Sequence, residues 1–377
     1  MLVAGGLYRE VCETPPWNRE FGSGVRAAAV IGKLSPGTRF HTYSSSKGGE
    51  AIDYLERLGV NVVCQQSSTD IVFSYFHPLS NPLIMPTAVQ AEAPLIVRGE
   101  CVLRFGLLEG SAIVSAERAV YDPQGAGAVE PFEANGSKAR ELAIVLNEGE
   151  LLRYSGGSDI QAACETLLDQ RRASVIVVKR GVRGALVVEP GRKSTIPPHW
   201  SERVFKIGTG DVFSAVFAHT WAEMKIPAST SAEIASKAVS FYCDAPECPL
   251  PLLETIVRRP ITGVVPSSVT LRGSVETLGR RYSLEEARHC LQTLGMAVEA
   301  VDLGDLPSEK SDRPKTLLIL SDGLTLEETQ AIACEYIGAD RVVILDEEKR
   351  FAPWGDVMVK DDFTTAMYVA AWPIETS

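Results

Sequence analysis

The segment Val204–His219 (VFKIGTGDVFSAVFAH) sets a glycine on each side of Thr209 and follows them at once with Asp211 and an apolar helical pattern. Gly208 and Gly210 let the backbone turn tightly and approach a ligand, where a Cβ would intrude. A helix opening there directs unpaired N–H groups, and the positive end of its dipole, into the turn. Such a nest suits an anion, above all the charge developing on a phosphoryl group in transfer. A carboxylate at Asp211, projecting into the same space, could accept the proton of a hydroxyl attacking that phosphorus. The same residues also fit a simpler reading, a turn closed by an aspartate cap.

The elements that would position these residues follow from hydrophobic periodicity. Apolar runs of strand length alternate with amphipathic helical stretches, the pattern of an α/β protein with a largely parallel sheet. Strands are expected at Met1–Val3, Asn61–Cys64, Ala112–Ser115, Leu142–Leu146, Ser174–Lys179 and Gly184–Val188. Helices are expected at Gly49–Leu58, Ser158–Arg171, Asp211–Met224 and Ser231–Tyr242. Leu95–Arg104 alternates loosely and is assigned to a smaller antiparallel sheet. At Arg258–Ser268 (RRPITGVVPSS) two prolines and a glycine interrupt regular structure. A second series follows, with strands at Ser268–Leu271, Ala297–Leu303, Lys315–Ser321 and Arg341–Leu345. Its helices are expected at Leu284–Leu294, Leu326–Ile337 and Asp362–Ala371, with a polar linker at Pro307–Pro314. A chain of 377 residues exceeds one ordinary core, so two domains are expected, 1–262 and 263–377.

Composition narrows the partners. A net charge of −11 argues against nucleic acid, whose binding rests on neutralising phosphates with Lys and Arg. It leaves phosphate ligands open, because backbone N–H groups can hold them. No run approaches the ~20 apolar residues of a membrane span, and MLVAGGLYRE reads as a buried strand, not a signal peptide. The eight cysteines contain no CxxC pair and the five histidines no metal-ligand spacing. They fit buried thiols in a reducing, cytoplasmic setting.

In the order of its motifs the chain resembles the ribokinase-like (PfkB-type) carbohydrate kinase family over residues 1–260. Gly-Thr-Gly-Asp corresponds to that family's Gly-x-Gly-Asp, which implies Asp211 as catalytic base and Gly208, Thr209 and Gly210 as an anion hole. Asn147-Glu148-Gly149-Glu150 resembles its Asn-x-x-Glu motif. That implies that Asn147 and Glu150 organise Mg²⁺, its waters and the nucleotide phosphates, with no direct side-chain ligation of the metal. Val177–Val188 (VVKRGVRGALVV) resembles the strand-turn-strand at the nucleotide, with Gly181 and Gly184 at the turn. Lys179 there could contact a phosphate or be solvated at a strand end. Gly22-Ser23-Gly24, ahead of Val25–Leu34, resembles the glycine pair bordering the sugar site, and Glu10 takes the place of an acidic residue for substrate hydroxyls.

Three departures fall mainly on the acceptor side. Phe205 replaces an aspartate, Arg26 stands where the family has asparagine, and the Gly-x-Asp-x-x-Gly motif is not recognisable between Phe40 and Leu58. Arg26 could meet a charged acceptor group or lie on the surface. The resemblance implies a three-layer α/β kinase domain with a small lid or edge sheet, using ATP and Mg²⁺ to phosphorylate a sugar or nucleoside hydroxyl. A homodimer is left open. The departures favour an alternative, a catalytically weak kinase fold that senses a nucleotide or sugar and signals through its C-terminal domain.

That C-terminal domain, a smaller doubly wound α/β unit, resembles a degenerate nucleoside 2-deoxyribosyltransferase. The resemblance rests on Val269–Gly273 (VTLRG) and on Leu317–Leu345, where Asp322-Gly323 matches. The family's nucleophilic glutamate does not, since Gln330 or Ala331 takes its place. By analogy alone, it tilts the kinase acceptor toward a nucleoside or ribosyl group.

Overall fold

The computed structural model describes residues 1–45, 49–125, 129–171, 173–306, 315–336 and 339–375. They form two compact units. The first comprises Met1–Arg180, Gly184–Pro197 and Lys206–Arg258; the second comprises Gly181–Arg183, Pro198–Phe205 and Arg259–Ser377.

The first unit runs through β1 (Leu2–Ala4), β2 (Tyr8–Cys12), β3 (Trp17–Phe21), α1 (Gly22–Leu34), β4 (Arg39–Ser44), α2 (Glu50–Arg57), β5 (Asn61–Gln66), β6 (Val72–Tyr75) and β7 (Leu83–Met85). It continues through β8 (Leu95–Phe105), β9 (Ala112–Asp122), β10 (Lys138–Asn147), α3 (Glu148–Ser155), α4 (Ile160–Arg171), β11 (Val175–Lys179), β12 (Ala185–Glu189), β13 (Arg192–Ile196), α5 (Thr209–Phe217) and α6 (Ala228–Asp244). Nine strands form one sheet in the order β13-β12-β11-β10-β9-β8-β1-β4-β5. It is parallel from β11 to β5 and ends at the other edge in the antiparallel hairpin of β12 and β13. Leu142, Ile144 and Leu146 of β10 cluster with Leu151, Ala163, Cys164 and Leu167 of α3 and α4. The intervening Ala143 and Val145 are equally buried, which requires a second helical layer on the opposite face; α1, α5 and α6 supply it. The expected three-layer arrangement is present.

Leu95–Arg104 does not belong to a small antiparallel sheet. It is β8, paired in parallel with β1 and β9. Residues 106–111 can span at most about 20 Å, whereas a straight strand of this length would be about 36 Å long. Pairing from Leu95↔Ala112 to Phe105↔Asp122 therefore requires both strands to bend back. Leu95 and Val97 accordingly share a cluster with Val102 and Tyr43, and the Tyr43 hydroxyl reaches both Ala93 O and Ser111 O. The loose alternation belongs to the first arm only, where Ile96 and Arg98 are exposed; Cys101–Phe105 is wholly buried.

The small sheet is built elsewhere, in the order β3-β2-β6-β7. Residues two apart share a strand face, so Tyr8 and Glu10 of β2 project together, as do Phe73 and Tyr75 of β6.

The second unit contains β14 (Ser268–Gly273), α7 (Leu278–Thr293), β15 (Ala297–Ala300), β16 (Lys315–Leu320), α8 (Leu326–Glu335), β17 (Arg341–Leu345), β18 (Met358–Lys360) and α9 (Phe363–Ala371). Its sheet is all parallel in the order β15-β14-β16-β17-β18. Strand order reverses between β14 and β16, so this is a doubly wound sheet with a switch point there. The strand expected to reach Leu303 ends at Ala300 and gives way to a 3₁₀ turn. The linker Pro307–Pro314 lies outside the described residues.

Candidate active site

Gly208 caps α5 at φ 77°, a conformation that favours glycine, and Thr209 opens the helix. Gly210 and Asp211 are its second and third residues, so their N–H groups have no intrahelical acceptor. The two glycines face different neighbours. A Cβ on Gly208 would lie 2.1 Å from Arg26 Nε, while one on Gly210 would meet, among the described residues, Lys179 Nζ alone, at 3.4 Å. Thr209 points away from the cavity floor, its hydroxyl accepting from Lys206 Nζ at 3.0 Å and donating to Lys206 O.

Arg26 is not a surface residue. It is fully buried and donates to Asp211 Oδ2 at 2.7 Å, to Glu10 Oε1 at 3.1 Å and to the Tyr242 hydroxyl at 3.0 Å. Its second terminal nitrogen pairs with Glu10 Oε2, and the Phe21 ring lies beneath the guanidinium. Burial pushes the guanidinium down, but Glu10, Tyr242 and Asp211 carry it well above its ordinary value. The other Asp211 oxygen accepts from Gln124 Nε2 at 2.5 Å. Gln124 holds φ 47°, a left-handed conformation uncommon outside glycine and of the kind that clusters at functional sites.

Asn147 and Glu150 form a reciprocal capping box at the start of α3. Asn147 Oδ1 accepts from Glu150 N, and Glu150 Oε2 accepts from Asn147 N, each at 2.8 Å. Lys179, at the end of β11, is not a solvated strand-end lysine: Nζ pairs at 2.6 Å with Asp122 Oδ2. Burial pulls its ammonium down, and Asp122 and Glu150 more than restore it. Asp122 closes β9, is wholly buried and also accepts from Ser214 Oγ at 2.6 Å. Burial pushes Asp122 up to about 6 against the pull of Lys179. Its Oδ1 has no hydrogen-bond partner among the described residues. Burial likewise pushes Lys206 down.

These groups converge on one cavity of about 780 Å³ within the first unit. Of the sequence candidates, Glu10, Gly22, Ser23, Asn147, Glu150, Lys179, Gly208, Gly210 and Asp211 line it. Arg26, Gly24, Thr209, Gly181 and Gly184 do not. Gly24 instead lets α1 pack on β1, since a Cβ there would lie 2.6 Å from Gly5 C. Gly181 and Gly184 sit at positive φ in the β11–β12 turn. Tyr8, Phe73 and Tyr75 form an aromatic wall from β2 and β6, with Tyr8 and Phe73 ring centroids 5.3 Å apart.

Sequence reasoning missed Asp122, Gln124, Lys206 and Tyr242. Asp122 had a signal, a lone carboxylate ending the apolar run Ala119–Tyr121 just before Pro123. Lys206 stands inside the glycine segment itself. Nothing local marks Gln124 or Tyr242.

In the second unit, Gly273 and Asp322-Gly323 lie at the carboxyl ends of β14 and β16, the switch point. Arg280 packs on Gly323, where a Cβ would come 2.1 Å from its Cζ, and pairs with Asp322 at 3.3 Å. Glu328 is tied into a capping box with Thr325.

Residues 134–255 match the family model for pfkB family carbohydrate kinases. That stretch is similar to part of a pfkB-family carbohydrate kinase domain. The matched segment holds Asn147, Glu150, Lys179 and the Gly208–Asp211 turn but stops short of Glu10, Gly22–Gly24 and Arg26. No curated protein matches the sequence. Among solved structures, the chain is similar to a ribokinase from Thermotoga maritima, with 16% identity over 68% of this chain and 96% of that one (TM-score 0.48). It is similar to phosphofructokinase-2 from Escherichia coli, with 14% identity over 68% and 97% (TM-score 0.47). A fructokinase from Vibrio cholerae O395 shares 16% identity over 64% and 92% (TM-score 0.49).

Proposed function

We propose that the pfkB-type unit is an ATP-dependent kinase that transfers the γ-phosphoryl group to a hydroxyl of a sugar or nucleoside. One observation supports this most: a carboxylate, a glycine turn at a helix start and a buried ammonium meet in a single cavity. In this reading Asp211 takes the acceptor proton as the hydroxyl attacks. The N–H groups of Gly210 and Asp211, with Lys179 beside Gly210, stabilise charge on the transferring group. Asn147 and Glu150, each fixed by the other, offer their remaining lone pairs to the water shell of a cation. The unpartnered buried oxygen of Asp122 fits a cation as well. Mg²⁺ would be held there through its waters by Asn147, Glu150 and Asp122, where it would neutralise donor phosphate charge.

The test is ATP turnover across a panel of neutral sugars and nucleosides, with Asp211→Asn as control. Transfer that vanishes in the control supports the reading; ATP binding without transfer to any acceptor removes it.

One observation favours a second reading. Both Asp211 oxygens already carry hydrogen bonds, from Arg26 and Gln124, as suits a site that binds a nucleotide or sugar without turning it over. The C-terminal domain would then report occupancy. We place the boundary between the domains at 262/263, within the proline-bearing stretch 258–268. We read the C-terminal domain as a ligand-binding relative of deoxyribosyltransferases, without transferase activity.

A further inference from the structure

We propose that Arg26 is a positioning residue of the transfer site. It acts as a buried strut that holds Glu10 and Asp211 as one unit, so that the acceptor end of the cavity takes an uncharged polyol or nucleoside. The inference rests on the kinase reading above.

Arg26 cannot touch an acceptor, because it lies wholly beneath the cavity and does not line it. Its donors instead fan out to both carboxylates that do line it, Glu10 and Asp211. The far side is closed by Tyr242, whose hydroxyl accepts from Arg26 Nε and donates to Ile207 O, tying the strut to the glycine turn. Gly208 leaves the space the guanidinium occupies. Asparagine is too short to bridge Glu10 and Asp211, so the residue at this position changes how Asp211 is held.

The charge balance follows. Two carboxylates against one guanidinium leave this end one negative charge in excess, and the guanidinium is already committed. Among the described residues lining the cavity, Arg104 is spent on Phe132 O and Ser137 Oγ against the rings of Tyr121 and Phe132, Lys179 on Asp122 and Arg153 on Gly125 O, while Lys206 reaches the Thr209 hydroxyl. A phosphorylated or carboxylated acceptor would thus face Glu10 and Asp211, with Lys206, whose ammonium burial disfavours, as the one described cavity cation that has no carboxylate or carbonyl partner. At an effective dielectric near 20 that disfavours it by roughly 100-fold. Ser23 Oγ lines the same cavity, buried and without a hydrogen-bond partner among the described residues, as a hydroxyl-bearing ligand would require.

The experiment uses the full chain with ATP and Mg²⁺ and two matched pairs of probes, ribose with ribose 5-phosphate and adenosine with adenosine 5′-monophosphate. The neutral member of a pair should have the higher kcat/KM by roughly 100-fold. Arg26→Gln should lower kcat by about 100-fold with the KM for ATP unchanged, and Arg26→Lys should recover part of the loss. Preference for a phosphorylated probe overturns the acceptor assignment. A folded Arg26→Gln with kcat at or above the parent overturns the strut. If no probe is turned over, the kinase reading fails on its own and unfolding decides the strut. The fall in denaturation midpoint caused by Arg26→Gln should then shrink by half or more in a Glu10→Gln, Asp211→Asn background, which also keeps the comparison open if the single variant does not fold. An undiminished fall refutes it.

Discussion

Alanine at Gly208 and at Gly210 should fail in opposite ways. At Gly208 an alanine must adopt φ near 77°, which disfavours an L-residue by about 1–2 kcal/mol. Its methyl would also occupy the position of Arg26 Nε. The guanidinium has nowhere to retreat, being fully buried among Glu10, Asp211, Tyr242 and Phe21, so the strut must break. Breaking one side of a buried ion pair costs about 3–5 kcal/mol. The sum, roughly 4–7 kcal/mol, is comparable to the whole stability of many domains. At Gly210 the φ is ordinary, the methyl meets Lys179 Nζ at van der Waals distance, and alanine lowers unfolded-chain entropy by about 0.4–1 kcal/mol. Gly210→Ala should therefore match or exceed the parent in urea unfolding, yet bind ATP much more weakly by calorimetry, because the methyl stands where a phosphate approaches. Gly208→Ala should be largely unfolded or strongly destabilised. Equal stability of Gly208→Ala and parent would refute the packing argument, and undiminished ATP affinity in Gly210→Ala would reduce the turn to ordinary structure.

Asp211→Asn should still bind ATP by calorimetry and lose roughly 10²–10⁴ in transfer rate, because the amide keeps the shape without accepting a proton; near-full turnover would show that another group is the base. Glu109 is buried and accepts from the Tyr8 hydroxyl at 2.7 Å, and burial holds its carboxyl above the ordinary 4.5. Between 4.5 and that raised value the folded state binds more protons than the unfolded, so stability falls as pH rises through the window. Asp122, raised by burial to about 6, adds a fall of the same sign, so Glu109→Gln should make the fall in thermal melts from pH 4 to 7 shallower without abolishing it, and an unchanged slope would place its source elsewhere. The full chain should show no base exchange on deoxynucleosides, since no carboxylate matches the nucleophile position on α8. Glycosidic cleavage that disappears in Glu327→Ala or Glu328→Ala would instead make this a two-enzyme fusion.

The glycine turn at Thr209 and the Asn147–Glu150 segment were legible in the sequence as local structure, because their physics is local. A glycine pair opening an apolar helix at Thr209, which leaves N–H groups free, and an Asn-x-x-Glu pattern at Asn147, which ties them into a capping box, each need only a few consecutive residues. The alternation of strands and helices was legible for the same reason, as was the doubly wound character of the C-terminal unit. The course of β8 was not. Its loose alternation describes an arm half exposed by a bend, and the bend is forced by the short return to β9, a constraint on pairing that no periodicity within β8 records. The acceptor end was least legible. Arg26 lies 185 residues from Asp211 and 216 from Tyr242, and Lys179 lies 57 from Asp122. In sequence, each charged residue reads equally well as solvated. Only the tertiary path brings the partners together and removes the water, and in that low-dielectric setting a buried charge must be paired; the path of the chain therefore decided which carboxylates Arg26 holds.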